Sequence, residues 1–155
     1  MSKTRTLETY TPVNKAGDSM TGIIAMPYQP AFYVGKSNGN WTGQCIFNDV
    51  QINIGSCYNS TTGRFTAPVS GRYFVSMDTI CHDNNSAGYK YFALNKNGAT
   101  VLTPYSYVNT NNHHQFNFAA VVDLAVNDYL TINGITGEFY GQSSQHTHFS
   151  GHLIG

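Results

Sequence analysis

From residue 29 onward, apolar and polar residues alternate in short runs cut by turn residues. PAFYVG (30–35) and QCIFNDVQINI (44–54) read as strands, and GRYFVSMDTI (71–80) places Tyr73, Val75 and Met77 on one face. GYKYFALN and GATVLT flank NKNG, where Asn97-Gly98 favours a tight hairpin turn. HHQFNFAAVVDLAV (113–126) has period two, so Phe116, Phe118, Ala120, Val122 and Leu124 share a face. DYLTINGI (128–135) follows the turn at Asn127-Asp128, and THFSGHLIG (147–155) reads as a last strand. No segment sustains the 3.6-residue apolar period of a helix. Short strands with turn signals between them predict an all-β sandwich or barrel.

One corner and one arm stand out. In TTGRFTAPVSGRYFVS (61–76), Gly63 allows a positive φ, and Pro68, which cannot donate to a ladder, marks an edge or a strand end. Phe65 between them anchors an otherwise polar link in the core. Residues 1–28 are polar, and NKAGDSMTG (14–22) is turn-like. This segment cannot bury a core alone, so it reads as an arm that is flexible or packs on something else, such as a sister chain. The chain divides into an arm, 1–28, and a head, 29–155.

Composition narrows the function. Only 10% of residues are charged and the formal net charge is zero, which argues against nucleic acid and anionic membranes as partners. No apolar run approaches the ~20 residues of a membrane-spanning helix, so no membrane insertion is expected. Polarity comes from 16 Asn and many Ser and Thr, beside 11 Tyr. That mixture suits a wet recognition surface, an oligomer that buries much of its exterior, or a sandwich rich in good strand formers. Cys45, Cys57 and Cys81, odd in number and without a CxxC, read as thiols of a reducing cytoplasm; a Cys45–Cys57 or Cys57–Cys81 bridge is the alternative.

IFNDVQINIGSCYNSTTGRFTAPVSGRYFVS resembles the signature region of the C1q domain, in the C1q/tumour-necrosis-factor jelly-roll superfamily. The residues that carry it are Phe47, Asn48, Asn53, Tyr58, Thr62, Gly63, Phe65, Thr66, Ala67, Pro68, Gly71 and Tyr73. LNKNGATV resembles the family's hairpin, Leu124, Asp128 and Leu130 its L-x-x-x-D-x-[VL] segment, and THFSGHLIG its terminal strand. The loops are poor in acids, so the family's calcium sites are not supported. In the arm, PVNKAGDSMTGII is similar to a short bacteriophage tail-fibre repeat, through Asn14, Lys15, Gly17, Asp18, Met20, Gly22 and Ile23. The two resemblances together imply a C1q/TNF-like jelly-roll homotrimer. FNFAAVVDL and FSGHLI are the candidates for its inner sheet.

Chemistry is sparse. No G-x-S-x-G occurs, Cys81-His82-Asp83 are merely sequential, and Asp49, Asp78, Asp123, Asp128 and Glu138 sit in no recognisable motif, so no enzyme is expected. His146 and His148 form a His-X-His pair, with His152 at the same parity. Three copies around a threefold axis would offer six imidazoles to a transition metal; the alternative is a pair of solvent-facing histidines. His113 and His114 are adjacent and read as loop residues. Loops 82–88, 103–114 and 137–145 combine Tyr with amides, and Tyr105, Tyr107, Asn111, Asn112 and Tyr140 are the candidate ligand surface, suited to stacking on sugars.

The resemblances imply a virion protein made in the host cytoplasm: a trimeric tail-fibre head that binds a host surface glycan or protein receptor. Its arm would join other fibre or tail proteins. A purely structural virion decoration or fibre-trimerising cap is the alternative. A secreted C1q-like binding protein stands third, because MSKTRTLETY lacks an apolar signal-peptide core and no collagen stalk precedes the head.

Overall fold

The computed structural model describes residues 29–82, 87–109 and 113–155. The arm's fibre-like motif therefore lies outside the described residues, as do Asn111 and Asn112. Twelve strands and no helix occur among the described residues: β1 (Ala31–Gly35), β2 (Trp41–Gln44), β3 (Asp49–Ile54), β4 (Tyr58–Asn59), β5 (Arg64–Thr66), β6 (Gly71–His82), β7 (Gly88–Lys96), β8 (Ala99–Leu102), β9 (Tyr105–Val108), β10 (His114–Leu124), β11 (Tyr129–Phe139) and β12 (His148–Leu153).

They form two layers. The first runs β3-β1-β12-β6-β10, all antiparallel. The second centres on β11, which pairs with β2, β5 and β7, while β8 and β9 lie along the far side of β7. The layers join at one end, where Glu138 and Phe139 of β11 pair with His82 and Cys81 of β6. The result is the expected jelly-roll sandwich.

Period-two alternation fills the space between the layers. Tyr73, Val75 and Met77 are fully buried, and Phe116, Phe118, Val122 and Leu124 face the same interior from β10. Rings meet across the layers: Phe32 of β1 stacks on Phe65 of β5 with centroids 4.7 Å apart, and Phe116 of β10 meets Phe139 of β11 edge-on at 5.9 Å. Each buried side chain of this size contributes about 1.5–3 kcal/mol against exposure. The three cysteines are buried free thiols, so neither candidate bridge forms.

The corner at 61–76 works as its residues require. Gly63 has φ +65°, and a Cβ there would sit 2.7 Å from the Cys45 carbonyl oxygen. Pro68 lies between β5 and β6, and the Tyr73 hydroxyl donates to the Val69 carbonyl at 2.9 Å, tying the corner to β6. At the β7–β8 hairpin, Asn97 (φ 51°) and Gly98 (φ 83°) both occupy the left-handed region, as a type I′ turn demands.

Two readings need correction. The segment 44–54 is not one strand. The Cys45 amide donates to Ile132 of the second layer, whereas Asp49–Ile54 pairs with β1 of the first, so 45–48 crosses between layers. Residues 105–108, expected in a loop, form β9. Pro104, unable to donate, separates β9 from β8 on the same side of β7.

Candidate binding surfaces

Both layers present an outward face, and the two faces differ in chemistry. On the second layer, Phe92, Leu94 and Val108 point inward and are fully buried, so Tyr89, Tyr91, Tyr105 and Tyr107 point out. The register pairs Tyr89 with Tyr107 and Tyr91 with Tyr105. The Tyr89 ring lies 5.3 Å from Tyr107 at 83° and 6.1 Å from Tyr105 at 59°. Tyr89, Tyr91, Thr103 and Tyr105 line an open groove of about 510 Å³. Tyr105, Tyr89 and Tyr107 are 70%, 61% and 54% exposed.

Two of the five proposed ligand residues, Tyr105 and Tyr107, thus fall together. Tyr140 does not join them: its ring packs against His146, centroids 5.4 Å apart, between β11 and β12. Tyr89 and Tyr91 were missed as partners. Their signal is the Tyr-x-Tyr spacing shared by YKY and YSY, which pairing of the two strands brings opposite each other.

On the first layer, outward residues align in rows across five strands. One row is Val121, Phe74, His152, Ala31 and Ile54; the next is Ala119, Ser76, Ser150, Tyr33 and Ile52. Ser76 and Ser150 share a hydrogen bond at 2.9 Å. Val121, Ile52 and Ile54 are exposed. Charge enters through Asp78, whose carboxylate lies 3.2 Å from His148 Nε2, and through rim residues such as Arg72 and Asp123. His148 also packs on Tyr33, and its Nδ1 is buried without a hydrogen-bond partner.

The two candidate metal ligands stand on different supports. β12 begins at His148, and His146 lies in the preceding turn, where its amide donates to the Ser143 carbonyl. Strand parity therefore links His148 with His152 but does not reach His146. Among the described residues, no three His, Cys, Asp or Glu side chains gather as a metal cluster. His114, expected in a loop, opens β10 opposite Cys81, with a buried Nε2 that has no hydrogen-bond partner.

At the rim, Asp128 accepts from the Asn97 amide, from Lys96 at 2.9 Å and from the Ala125 backbone. These contacts, Asn97 first, hold its carboxyl at about 2. Burial raises the thiols, Cys57 to about 11 and Cys45 further.

Comparison with known proteins fits this architecture. Solved structures with the same fold include the globular domain of zebrafish complement 1qA protein (TM-score 0.66, 20% identity, covering 82% of this chain and 98% of that one). Eiger TNF from S. frugiperda (TM-score 0.66, 12% identity, 83% and 94%) and murine APRIL (0.63, 12%, 81% and 99%) share it too. In sequence, complement C1q tumor necrosis factor-related protein 3 of Mus musculus and of Homo sapiens are each 34% identical over 115 residues, 74% of this chain and 46% of theirs. The chain thus spans about half the length of the curated relatives it matches.

These relatives overturn the virion reading. They are mammalian, and nothing among them points to a phage, so the tail-fibre, host-attachment and virion-decoration roles, the virion location and the fibre and host-receptor partners are withdrawn. The physical reason is one of information. The arm motif is a short run of residues, while the head match runs through strands, corner and hairpins together. Residues 31–154 match the C1q domain from β1 through β12, and on that match the chain belongs to the C1q domain family.

Proposed function

We propose that this chain is the recognition head of an extracellular C1q-type protein, acting by binding rather than catalysis and assembling as a homotrimer. Assembly uses the outward face of the β3-β1-β12-β6-β10 layer, and partner recognition uses the opposite layer. One observation carries this reading: in the single chain that face holds Tyr33, Ile52, Ile54, Phe74 and Val121 on two rows beside one carboxylate–imidazole pair. Large apolar side chains exposed on one sheet face mark an interface, and a face of one subunit repeated about an axis closes into a symmetric oligomer. Family membership and the shared fold of complement 1qA support the same arrangement.

Light scattering during size exclusion tests it. The expected mass is three times the 17.0 kDa of the chain. Val121→Arg, which places a charge on the face at a position already 56% exposed, should shift the protein to monomer without lowering its β content. A wild-type monomer, or a Val121→Arg variant that stays fully trimeric, refutes the assignment of this face.

A further inference from the structure

We propose that the four-tyrosine platform on β7 and β9 is a binding site for a neutral hexopyranose, free or as part of a glycan. This deepens the recognition reading above and rests on it for the platform's being open in the assembled protein.

The platform is built rather than incidental. Four positions on two paired strands carry the same side chain, two by two in register. The outward face of a strand would accept Thr, Lys or Glu at each. Instead it exposes large rings, three of them more than half open to solvent. The rings stand at 59° and 83° to one another, so they do not bury each other's faces by stacking. Open faces of Tyr89, Tyr91 and Tyr105, with Thr103, form the groove, whose 510 Å³ falls within the range of small-ligand sites, about 300–1,000 Å³.

The lining selects the ligand class. Among the described residues it offers ring faces and hydroxyls and no charged side chain. No hydrogen bond to another described residue occupies the hydroxyls of Tyr89, Tyr91, Tyr105 or Tyr107, so each is free to donate and accept. A pyranose matches both properties at once: its axial C–H bonds present an apolar face to an aromatic ring, and its hydroxyls bond at the rim. An anionic sugar finds no counter-charge among the described lining residues.

The test is saturation-transfer NMR on the full chain. The probes are methyl β-galactoside, methyl β-glucoside, methyl α-mannoside and methyl N-acetyl-β-glucosaminide, with N-acetylneuraminic acid as the charged comparator. At least one neutral sugar should show transfer concentrated on the C–H protons of one ring face. Tyr105→Ala and Tyr89→Ala should each weaken it about tenfold, the loss of one stacking contact. Tyr105→Phe, which keeps the ring, should lose less. The proposal is overturned if no neutral sugar shows transfer, if N-acetylneuraminic acid is preferred, or if both alanine variants bind as the wild type does. Mass measured on the same samples separates the two readings. A trimer blind to sugar overturns the platform alone, and a monomer that binds sugar overturns the assembly alone.

Discussion

Gly151 sits in β12 between β1 and β6, and its lack of a side chain is a matter of space rather than backbone freedom. A Cβ there would lie 2.8 Å from Phe32 Cε1, 2.8 Å from Val75 Cγ1 and 2.9 Å from the Phe74 carbonyl oxygen. None of the three can yield freely. The Phe32 ring is held by Phe65 at 4.7 Å and Phe149 at 4.8 Å, Val75 is fully buried, and Phe74 is paired on both sides, with His152 and Val121. Gly151→Ala therefore overpacks the centre of the sandwich at a cost of ~1–3 kcal/mol. The gain that alanine brings to a strand, roughly 0.5–1 kcal/mol, offsets part of this. A net loss of about 1–2 kcal/mol should lower the thermal midpoint by roughly 2–8 °C for a chain of this size. Urea titration at fixed protein concentration should show a lower midpoint with an unchanged slope. Val75→Ala in the same chain removes the clashing methyl, so the double variant should be more stable than the sum of the two losses by about 0.5–3 kcal/mol. Neutral or stabilising behaviour of Gly151→Ala, or strict additivity in the cycle, would refute the packing argument.

Two further predictions follow from titratable groups. Asp128 is held at about 2 against an ordinary 3.8, so its contribution is fully present above the ordinary value and is lost as pH falls toward 2. Asp128→Asn should lower the thermal midpoint at neutral pH and flatten its fall between about pH 4 and pH 2; an unchanged slope in that window contradicts the assignment. The thiols of Cys57 and Cys45 are buried and raised, so a thiol reagent at mildly alkaline pH should label native protein slowly and all three cysteines promptly once denaturant is added. Immediate stoichiometric labelling of native protein would contradict the burial.

Much of the sandwich was legible because its strands are long and alternate cleanly. In β6 every second residue from Tyr73 is buried, and in β10 the inward positions from Phe116 are buried except half-buried Ala120; a period of two needs no tertiary information to be read. The corner was legible because Gly63 permits a positive φ that other residues avoid and Pro68 fixes its own φ and cannot donate to a ladder. What escaped was set between strands. Cys45 and Phe47 keep the alternation while the chain passes from one layer to the other, so a periodic signal concealed a crossover. β9 was hidden behind Pro104 and a polar neighbourhood. The candidate site was half visible: Tyr105 and Tyr107 stood out by composition, but Tyr89 and Tyr91 joined them only through the register of β7 with β9. Tyr140 shared their chemistry without sharing their place. The arm misled because its resemblance rests on a short run of residues, whereas the head's runs from β1 through β12.

The order of strands in the first layer carries a consequence in time. β12, the last of these twelve strands in chain order, is the middle one of the five, flanked by β1 and β6. Until it emerges, β1 and β3 have no ladder connecting them to β6 and β10, and Phe149 is absent from the aromatic cluster around Phe32. The nascent chain therefore exposes two unjoined halves of a sheet, each with open edges of the kind that invite aggregation. Completion is a single late event that zips both sides at once, with the slow kinetics of pairing residues distant in sequence. Removing β12 should leave no smaller stable sandwich, only a chain waiting for its centre.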